Sequence, residues 1–90
     1  MTDFPQLPAA GEVVMLSTPW CGYCKRLKTQ LASARIPFSD IDIEQHSHLI
    51  PFVERANGGN RTVPTVVFPD GSTLTNPTLN QVQDRLRVNS

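Results

Sequence analysis

The chain has 90 residues and a formal net charge of zero at pH 7, with no block of basic side chains. These features predict one small domain and argue against nucleic acid as a partner, while the apolar runs are far shorter than the roughly 20 residues that span a membrane. Residues 1–11 have neither a basic start nor an apolar centre, so they predict no signal peptide. We expect a cytoplasmic protein with a loose lead-in over residues 1–11 and a folded domain over residues 12–90.

The first two predicted elements are a strand and a helix, and both cysteines of the chain lie between them. A short, uninterrupted apolar run predicts a buried strand over residues 13–17. Residues 25–34 contain many good helix formers and neither Gly nor Pro. They predict a helix that begins at Cys21 or Gly22 and ends at about Arg35.

The two cysteines, Cys21 and Cys24, are separated by two residues at the start of this helix. Cys24, Leu27 and Leu31 are spaced by three and four residues, so they share one helix face and Cys24 should point into the core. Cys21 lies at the first turn, where free backbone N–H groups and the helix dipole stabilise a thiolate. The pattern predicts an exposed, nucleophilic Cys21 in front of a half-buried Cys24. This asymmetry is typical of a dithiol redox site.

Two other uses of the cysteine pair fit the sequence less well. A zinc site could recruit His46 and His48, but sites with two cysteines and two histidines separate the histidines by about three to five residues, and only Ser47 lies between them here. A purely structural disulfide would close a very short loop and would therefore constrain the unfolded chain little. We predict redox-active cysteines, no metal ligands and no bound cofactor.

The middle of the chain predicts a second strand and a second helix. Apolar and polar residues partly alternate over residues 38–43, which indicates a half-exposed strand. A crossover helix separates it from the first strand, so the two strands should be parallel. A helix is predicted over residues 47–57, with Gly58 as its C-terminal stop. Pro51 leaves the start open, because the helix begins either with Ser47 as its N-cap or one to two residues before Pro51.

Two strands and a helix complete the predicted elements. Residues 65–68 and 72–75 predict an antiparallel pair joined by a Pro-Asp-Gly turn. Asn76 and Pro77 are predicted as the N-cap and the first helical position of the last helix, which extends over about residues 78–88.

Two short motifs connect the chain to a known family. Cys21-Gly22-Tyr23-Cys24 and Thr62-Val63-Pro64-Thr65, at this separation, resemble the glutaredoxins of the thioredoxin superfamily. Residues 53–71 and Thr75-Asn76-Pro77 are similar to the mycoredoxins, the members of bacteria that use mycothiol in place of glutathione. The resemblance covers about residues 12–86. It implies an α/β thioredoxin fold with a central four-stranded mixed sheet flanked by three helices.

The segment before the third strand carries the second half of the predicted site. Statistics alone favour a trans Val63–Pro64 bond, because only about 5–6% of such bonds in folded proteins are cis. The resemblance instead implies a cis bond that faces the cysteines, and a Val63 whose backbone N–H and C=O bind the substrate. The substrate-binding residues predicted in this way are Tyr23, Arg61, Thr62, Val63, Pro64 and Asn76.

One departure from the glutaredoxin pattern bears on the cosubstrate. Typical glutaredoxins hold glutathione with a Gly-Gly pair and an acidic residue after the fourth strand. Here the corresponding stretch is Thr75-Asn76-Pro77-Thr78, which contains neither. The change favours a sugar-bearing thiol such as mycothiol, and Tyr23, Arg61 and Asn76 are the predicted contacts for its sugar.

The resemblance implies a monomeric thiol–disulfide oxidoreductase with mycothiol as its cosubstrate. Cys21 attacks a mixed disulfide between a protein and mycothiol, a second mycothiol resolves the adduct, and Cys24 can instead form an internal disulfide with Cys21. The implied partners are mycothiol, mycothiolated proteins and, indirectly, mycothiol disulfide reductase. Two alternatives stay open. One is a general dithiol reductase supplied by a flavoprotein reductase, and the other is an iron–sulfur carrier in which Cys21 and an external thiol from each of two chains hold a cluster.

Overall fold

The computed structural model describes residues 5–89. Within them, the strands and helices are, in chain order, β1 (Val13–Ser17), α1 (Gly22–Ser33), β2 (Phe38–Asp42), α2 (Ile50–Ala56), β3 (Thr65–Val67), β4 (Thr73–Thr75) and α3 (Leu79–Asn89). The sequence predicted each of these elements, with some ends displaced by a few residues. None of the helices in the described range has the length and apolar content that crossing a membrane requires.

The four strands form one mixed sheet in the order β2-β1-β3-β4. β1 pairs in parallel with β2, which places Leu16 beside Ile41, and it pairs antiparallel with β3, which places Leu16 opposite Thr65. β4 forms the edge, antiparallel to β3. The parallel start, the mixed sheet and the three helices confirm the predicted fold class.

Helices cover both faces of the sheet, so the central strands are buried on both sides. Alternate residues of β1 face opposite ways: Met15 packs in the cluster that includes Leu31 of α1 and Val82 of α3, and Leu16 packs in the cluster that includes Val53 of α2. All five residues of β1 are buried, which is why the strand is a continuous apolar run rather than an alternating one. The strand thereby fixes the start of α1, where the cysteines lie.

The start of α2 follows the later of the two predicted positions. A short 3₁₀ turn covers Ser47–Leu49, and the α-helix begins at Ile50, one residue before Pro51. At the second residue of the helix, the missing N–H of Pro51 leaves no hydrogen bond unmade, because the first backbone donors of a helix have no partner within it.

The predicted start of α3 was wrong. Asn76 has a left-handed backbone with φ of 46°, and its N–H donates to the carbonyl of Pro64 at 2.7 Å. The cap is Thr78, whose hydroxyl accepts from the Gln81 N–H at 3.1 Å while the Gln81 side chain accepts from the Thr78 N–H at 2.9 Å. This reciprocal capping box outcompetes Asn76 as the helix start. Asn76 and Pro77 therefore form a turn between β4 and α3.

The segment before β1 contains no helix or strand within residues 5–12. Pro5 is buried, and the Glu12 N–H donates to the Ala9 carbonyl at 3.0 Å. Part of the predicted lead-in, residues 1–4, lies outside the described residues, as does Ser90. The domain boundary at residue 12 stays a prediction.

Candidate active site

The sulfur of Cys21 occupies the N-cap position of α1. Cys21 has an extended backbone, with φ of −86° and ψ of 110°, and its Sγ accepts a hydrogen bond from the Cys24 N–H at 3.1 Å. The sulfur thus takes the place that a Ser, Thr or Asp oxygen usually holds at a helix start. The first turn of α1 contains no acidic residue, and Lys25 and Arg26 follow directly. The Cys21 sulfur thus lies at the end of α1 where the free backbone donors and the positive end of the helix dipole are located.

The prediction that Cys21 is exposed was wrong. Only 6% of the residue is accessible, and Cys21 belongs to the same core cluster as Cys24. The reason is a long-range contact: the Cys21 Sγ lies 3.8 Å from the carbonyl oxygen of Val63, 42 positions later in the chain. Trp20, Gly22 and Tyr23, the residues around Cys21 in the chain, are exposed, Trp20 at 70% and Tyr23 at 64%.

Cys24 lies deeper and in a different environment. It shares the buried face of α1 with Leu27 and Leu31, as the spacing predicted, but at 1% accessibility it is fully buried rather than half-buried as expected, because that face packs in the core. Burial, and after it the side-chain contact with Cys21, raise the pKa of the Cys24 thiol to about 12. A backbone contact with Thr18 lowers this pKa, and the charges of Cys21 and Asp40 add smaller increases. Cys24 is therefore a neutral thiol at physiological pH, and neither cysteine is in a disulfide.

The second half of the site is the segment that leads into β3. The Val63–Pro64 peptide bond is cis, as the resemblance predicted. Pro64 is buried while Val63 is half-buried and packs against both core clusters. The two motifs that the sequence singled out therefore meet in space, with the Val63 carbonyl at the Cys21 sulfur.

One side chain, Asn57, ties this segment to the rest of the fold. Its amide nitrogen donates to the Val53 carbonyl at 2.9 Å, to the Thr62 carbonyl at 3.2 Å and to the Thr65 hydroxyl at 3.0 Å. Its amide oxygen accepts from the Thr75 hydroxyl. Thr65 also donates to the Thr62 carbonyl at 2.9 Å. Asn57 thus links α2, the segment before β3 and β4, which holds the Val63 carbonyl in position.

A groove of about 230 Å³, lined by both polar and apolar residues, lies between α1 and the turn before α3. Tyr23 and Asn76, two of the three predicted sugar contacts, line it together. Arg61, the third, does not line it and is paired with Glu54 at 3.0 Å. The remaining lining residues are Arg26, Leu27, Gln30, Pro77, Thr78 and Leu79. The Asn76 N–H bonds the Pro64 carbonyl, so the turn that lines this groove is tied to the segment that contacts Cys21.

Comparison with known proteins decides the family. The family model described as Glutaredoxin matches residues 13–72, which include both cysteines and the cis bond. The chain belongs to the glutaredoxin family. A glutaredoxin-like protein of Mycobacterium tuberculosis is 53% identical over 74 residues, which is 82% of this chain and 88% of the relative. Mycoredoxin 1 of Corynebacterium glutamicum is 38% identical over 65 residues, or 72% of this chain and 80% of that protein.

Solved glutaredoxin structures have the same fold. The glutaredoxin of Methanosarcina mazei superposes with a TM-score of 0.72 at 20% identity, covering 86% of this chain and 79% of that one. A glutaredoxin of Archaeoglobus fulgidus gives 0.70 at 26% identity, covering 86% and 87%. This glutaredoxin is therefore a thioredoxin-fold thiol–disulfide oxidoreductase of a mycoredoxin-like type.

Sequence reasoning missed three residues at this glutaredoxin's site. Arg26 and Gln30 line the groove with Tyr23, and their spacing of three and four residues already placed all three on one helix face. Asn57 was predicted only as the end of α2. Its hydrogen bonds depend on segments that are distant in sequence, so no local pattern could have indicated them.

Proposed function

We propose that this glutaredoxin reduces mixed disulfides between proteins and mycothiol, with Cys21 as the attacking group. The observation that carries the proposal is the position of the Cys21 sulfur, 3.1 Å from the Cys24 N–H at the start of α1 and 3.8 Å from the Val63 carbonyl. A thiolate formed there is stabilised by the backbone donor and lies beside the strand-like segment that would hold the substrate chain.

The proposed reaction needs only one cysteine. The Cys21 thiolate attacks the mycothiol sulfur of the mixed disulfide, and the protein leaves as a thiolate that takes up a proton. A second mycothiol thiolate then attacks the mycothiol sulfur of the adduct, which frees Cys21 and yields mycothiol disulfide. Mycothiol disulfide reductase would return that disulfide to the thiol, so it is an indirect partner. Mycothiol is a cosubstrate, and no bound cofactor is required.

Two observations support mycothiol as the thiol. Mycoredoxin 1 of Corynebacterium glutamicum is similar to this chain over most of its length. The groove beside the site presents hydroxyl, amide and guanidinium groups, from Tyr23, Gln30 and Arg26 among others. Such groups can exchange hydrogen bonds with the hydroxyls of a sugar. The turn at Asn76 lies where other glutaredoxins place the Gly-Gly pair and acid that hold glutathione.

The test is a comparison of kcat/KM for two mixed disulfides that differ only in the thiol, mycothiol or glutathione, with a Cys24→Ser enzyme. We expect at least about a tenfold preference for mycothiol, which corresponds to about 1.4 kcal/mol. Gln30→Ala should reduce this preference, whereas Gln45→Ala, an exposed glutamine outside the groove, should leave it unchanged. Equal values for the two thiols, or a preference for glutathione, would contradict the assignment to mycothiol.

A further inference from the structure

Cys24 lines a second pocket, of about 230 Å³, that Cys21 does not line. The walls of this pocket come from the end of β1, from α1 and from β2. Its other lining residues are mostly polar or charged: Ser17, Thr18, Pro19, Lys25, Lys28, Asp40 and Asp42. The proposed one-cysteine reaction uses none of these groups.

Asp40 is held in this pocket by two contacts. Its Oδ2 accepts from the Lys28 ammonium at 2.7 Å, and its Oδ1 accepts from the Ser17 hydroxyl at 2.5 Å. Lys28 lies one helical turn after Cys24, so both point to the same side of α1. A carboxylate has about four lone-pair positions, and these contacts use two. The Asp40 side chain is 28% exposed, so it can exchange protons with solvent.

An independent feature of the pocket is the hydroxyl of Thr18. Its Oγ1 is buried and has no hydrogen-bond partner among residues 5–89, in a residue that is only 6% accessible. A buried hydroxyl without a partner costs about 1–3 kcal/mol, so water is the expected partner. A pocket of about 230 Å³ has room for several water molecules of about 30 Å³ each. Thr18, Cys24 and Asp40 all border that space.

We propose that Asp40 accepts the proton of the Cys24 thiol, through water anchored by Thr18, when Cys24 forms the internal disulfide. The inference rests on the proposed chemistry of Cys21, because the step begins from a Cys21 adduct. The Cys24 S–H bond breaks and its proton passes to the Asp40 carboxylate. The Cys24 sulfur bonds the Cys21 sulfur, and the bond between Cys21 and the bound thiol breaks. That thiol leaves with the electron pair as a thiolate.

The environment of Cys24 explains why a proton acceptor matters. Burial is the largest cause of its raised pKa, and this burial comes from packing on the core face of α1, away from the bond that an adduct forms at Cys21. In an adduct, the Cys21 thiol and the Cys21 charge no longer raise the pKa of Cys24. Cys24 must therefore still lose its proton from a desolvated position, where the neutral thiol is a poor nucleophile.

The charge of Asp40 and its proposed role predict opposite effects of the same substitution. The negative charge disfavours a Cys24 thiolate, and Lys28 and Lys25 on α1 favour one, while Asp42 lines the pocket from β2. If Asp40 acted only through its charge, Asp40→Asn would speed the attack by Cys24. If it accepts the proton, Asp40→Asn slows the attack.

A two-phase assay separates this step from the chemistry of Cys21. Reduced enzyme is mixed with one equivalent of dithiobis-nitrobenzoate, whose coloured thiolate is released once when Cys21 reacts and again when Cys24 attacks the Cys21 adduct. Near pH 7 we expect Asp40→Asn to leave the first phase unchanged and to slow the second by about 100-fold, the low end of what a positioned base contributes. The second-phase rates of the wild type and of Asp40→Asn should converge at strongly alkaline pH, where hydroxide removes the proton of the Cys24 thiol.

Two further variants complete the assay. Thr18→Val, which removes the hydroxyl and keeps the shape, should also slow only the second phase, by about tenfold. Glu44→Gln is the control, because this carboxylate accepts from the Trp20 indole at 2.9 Å and does not line the pocket. It should change neither phase.

The outcomes separate the inference from the function on which it rests. A second phase that is unchanged or faster in Asp40→Asn overturns the inference and leaves the Cys21 chemistry standing. Equal slowing in Glu44→Gln also overturns it. An enzyme whose first phase is absent contradicts the proposed function itself. If Asp40→Asn fails to fold, as judged by its thermal transition, an unchanged second phase in Thr18→Val overturns the water-mediated transfer.

Discussion

Cys21 and Cys24 are three residues apart, yet the contacts around their sulfur atoms have little in common. The Cys21 sulfur accepts a backbone N–H and faces the Val63 carbonyl. The Cys24 thiol is buried on the core face of α1, and its pKa is raised to about 12. The difference teaches that a helix start offers free donors to one sulfur and directs the other inward, while the distant Val63 segment completes the surroundings of the first.

The contribution of the Val63 segment to the reaction of Cys21 can be tested through Asn57, which positions this segment without touching either sulfur. Asn57→Ala removes three donated hydrogen bonds and one accepted one. We expect kcat/KM for the mixed disulfide to fall by about tenfold. The free energy of unfolding should fall by about 1–2 kcal/mol, because the two part-buried bonds to Val53 and Thr65 are lost and a typical hydrogen bond contributes about 0.5–1.5 kcal/mol. Steady-state kinetics and denaturant unfolding measure the two effects.

A control variant and a second measurement distinguish a positioning role of Asn57 from a general loss of stability. Asn60→Ala changes an exposed asparagine in the same loop and should have no effect on either quantity. The rate at which iodoacetamide alkylates Cys21 should change less than kcat/KM, because this small reagent does not need the Val63 backbone. Equal losses in both rates would mean that Asn57 acts only through general stability.

The raised pKa of the Cys24 thiol can be tested through the stability of the protein at alkaline pH. The folded state keeps the Cys24 proton up to about pH 12, whereas the unfolded chain loses it near the ordinary value of 9.0. The stability from this group is therefore fully present below pH 9 and is lost as the pH rises towards 12. The expected slope is about 1.4 kcal/mol per pH unit in that window.

Other groups also titrate in this range, so the Cys24 contribution is obtained by difference. The free energy of unfolding is measured by denaturant at several pH values for the wild type and for Cys24→Ser. The wild type should lose more stability than the variant between pH 9 and the highest pH at which both fold. Parallel curves would show that Cys24 titrates normally, and the contrast between the two cysteines would then be wrong.

The sequence predicted the helices and strands and the inward direction of Cys24 because these follow from local patterns, whereas the thioredoxin fold as a whole was implied by the family resemblance. The apolar run of β1, the spacing from Cys24 to Leu31 and the turn before β4 are signals within a few residues of one another. The cis bond before β3 came from the family resemblance alone, against the statistics of proline.

The errors arose where distant segments compete for the same group. Cys21 is buried because Val63 lies over it, and no pattern near residue 21 indicates that contact. Asn76 is a good N-cap by residue type, but its N–H bonds Pro64, and Thr78 with Gln81 forms the better cap. These positions depend on packing between elements, which a local pattern does not contain.

The most direct test of the central claim is to find which cysteine receives the thiol. Each single variant, Cys21→Ser and Cys24→Ser, is mixed with one equivalent of a mixed disulfide of mycothiol, quenched with acid within a single turnover and analysed by mass spectrometry. The account predicts a mycothiol adduct on Cys21 in the Cys24→Ser enzyme, followed by turnover when mycothiol is added. It predicts neither adduct nor turnover in Cys21→Ser. An adduct on Cys24, or a Cys24→Ser enzyme as inactive as Cys21→Ser, would contradict it.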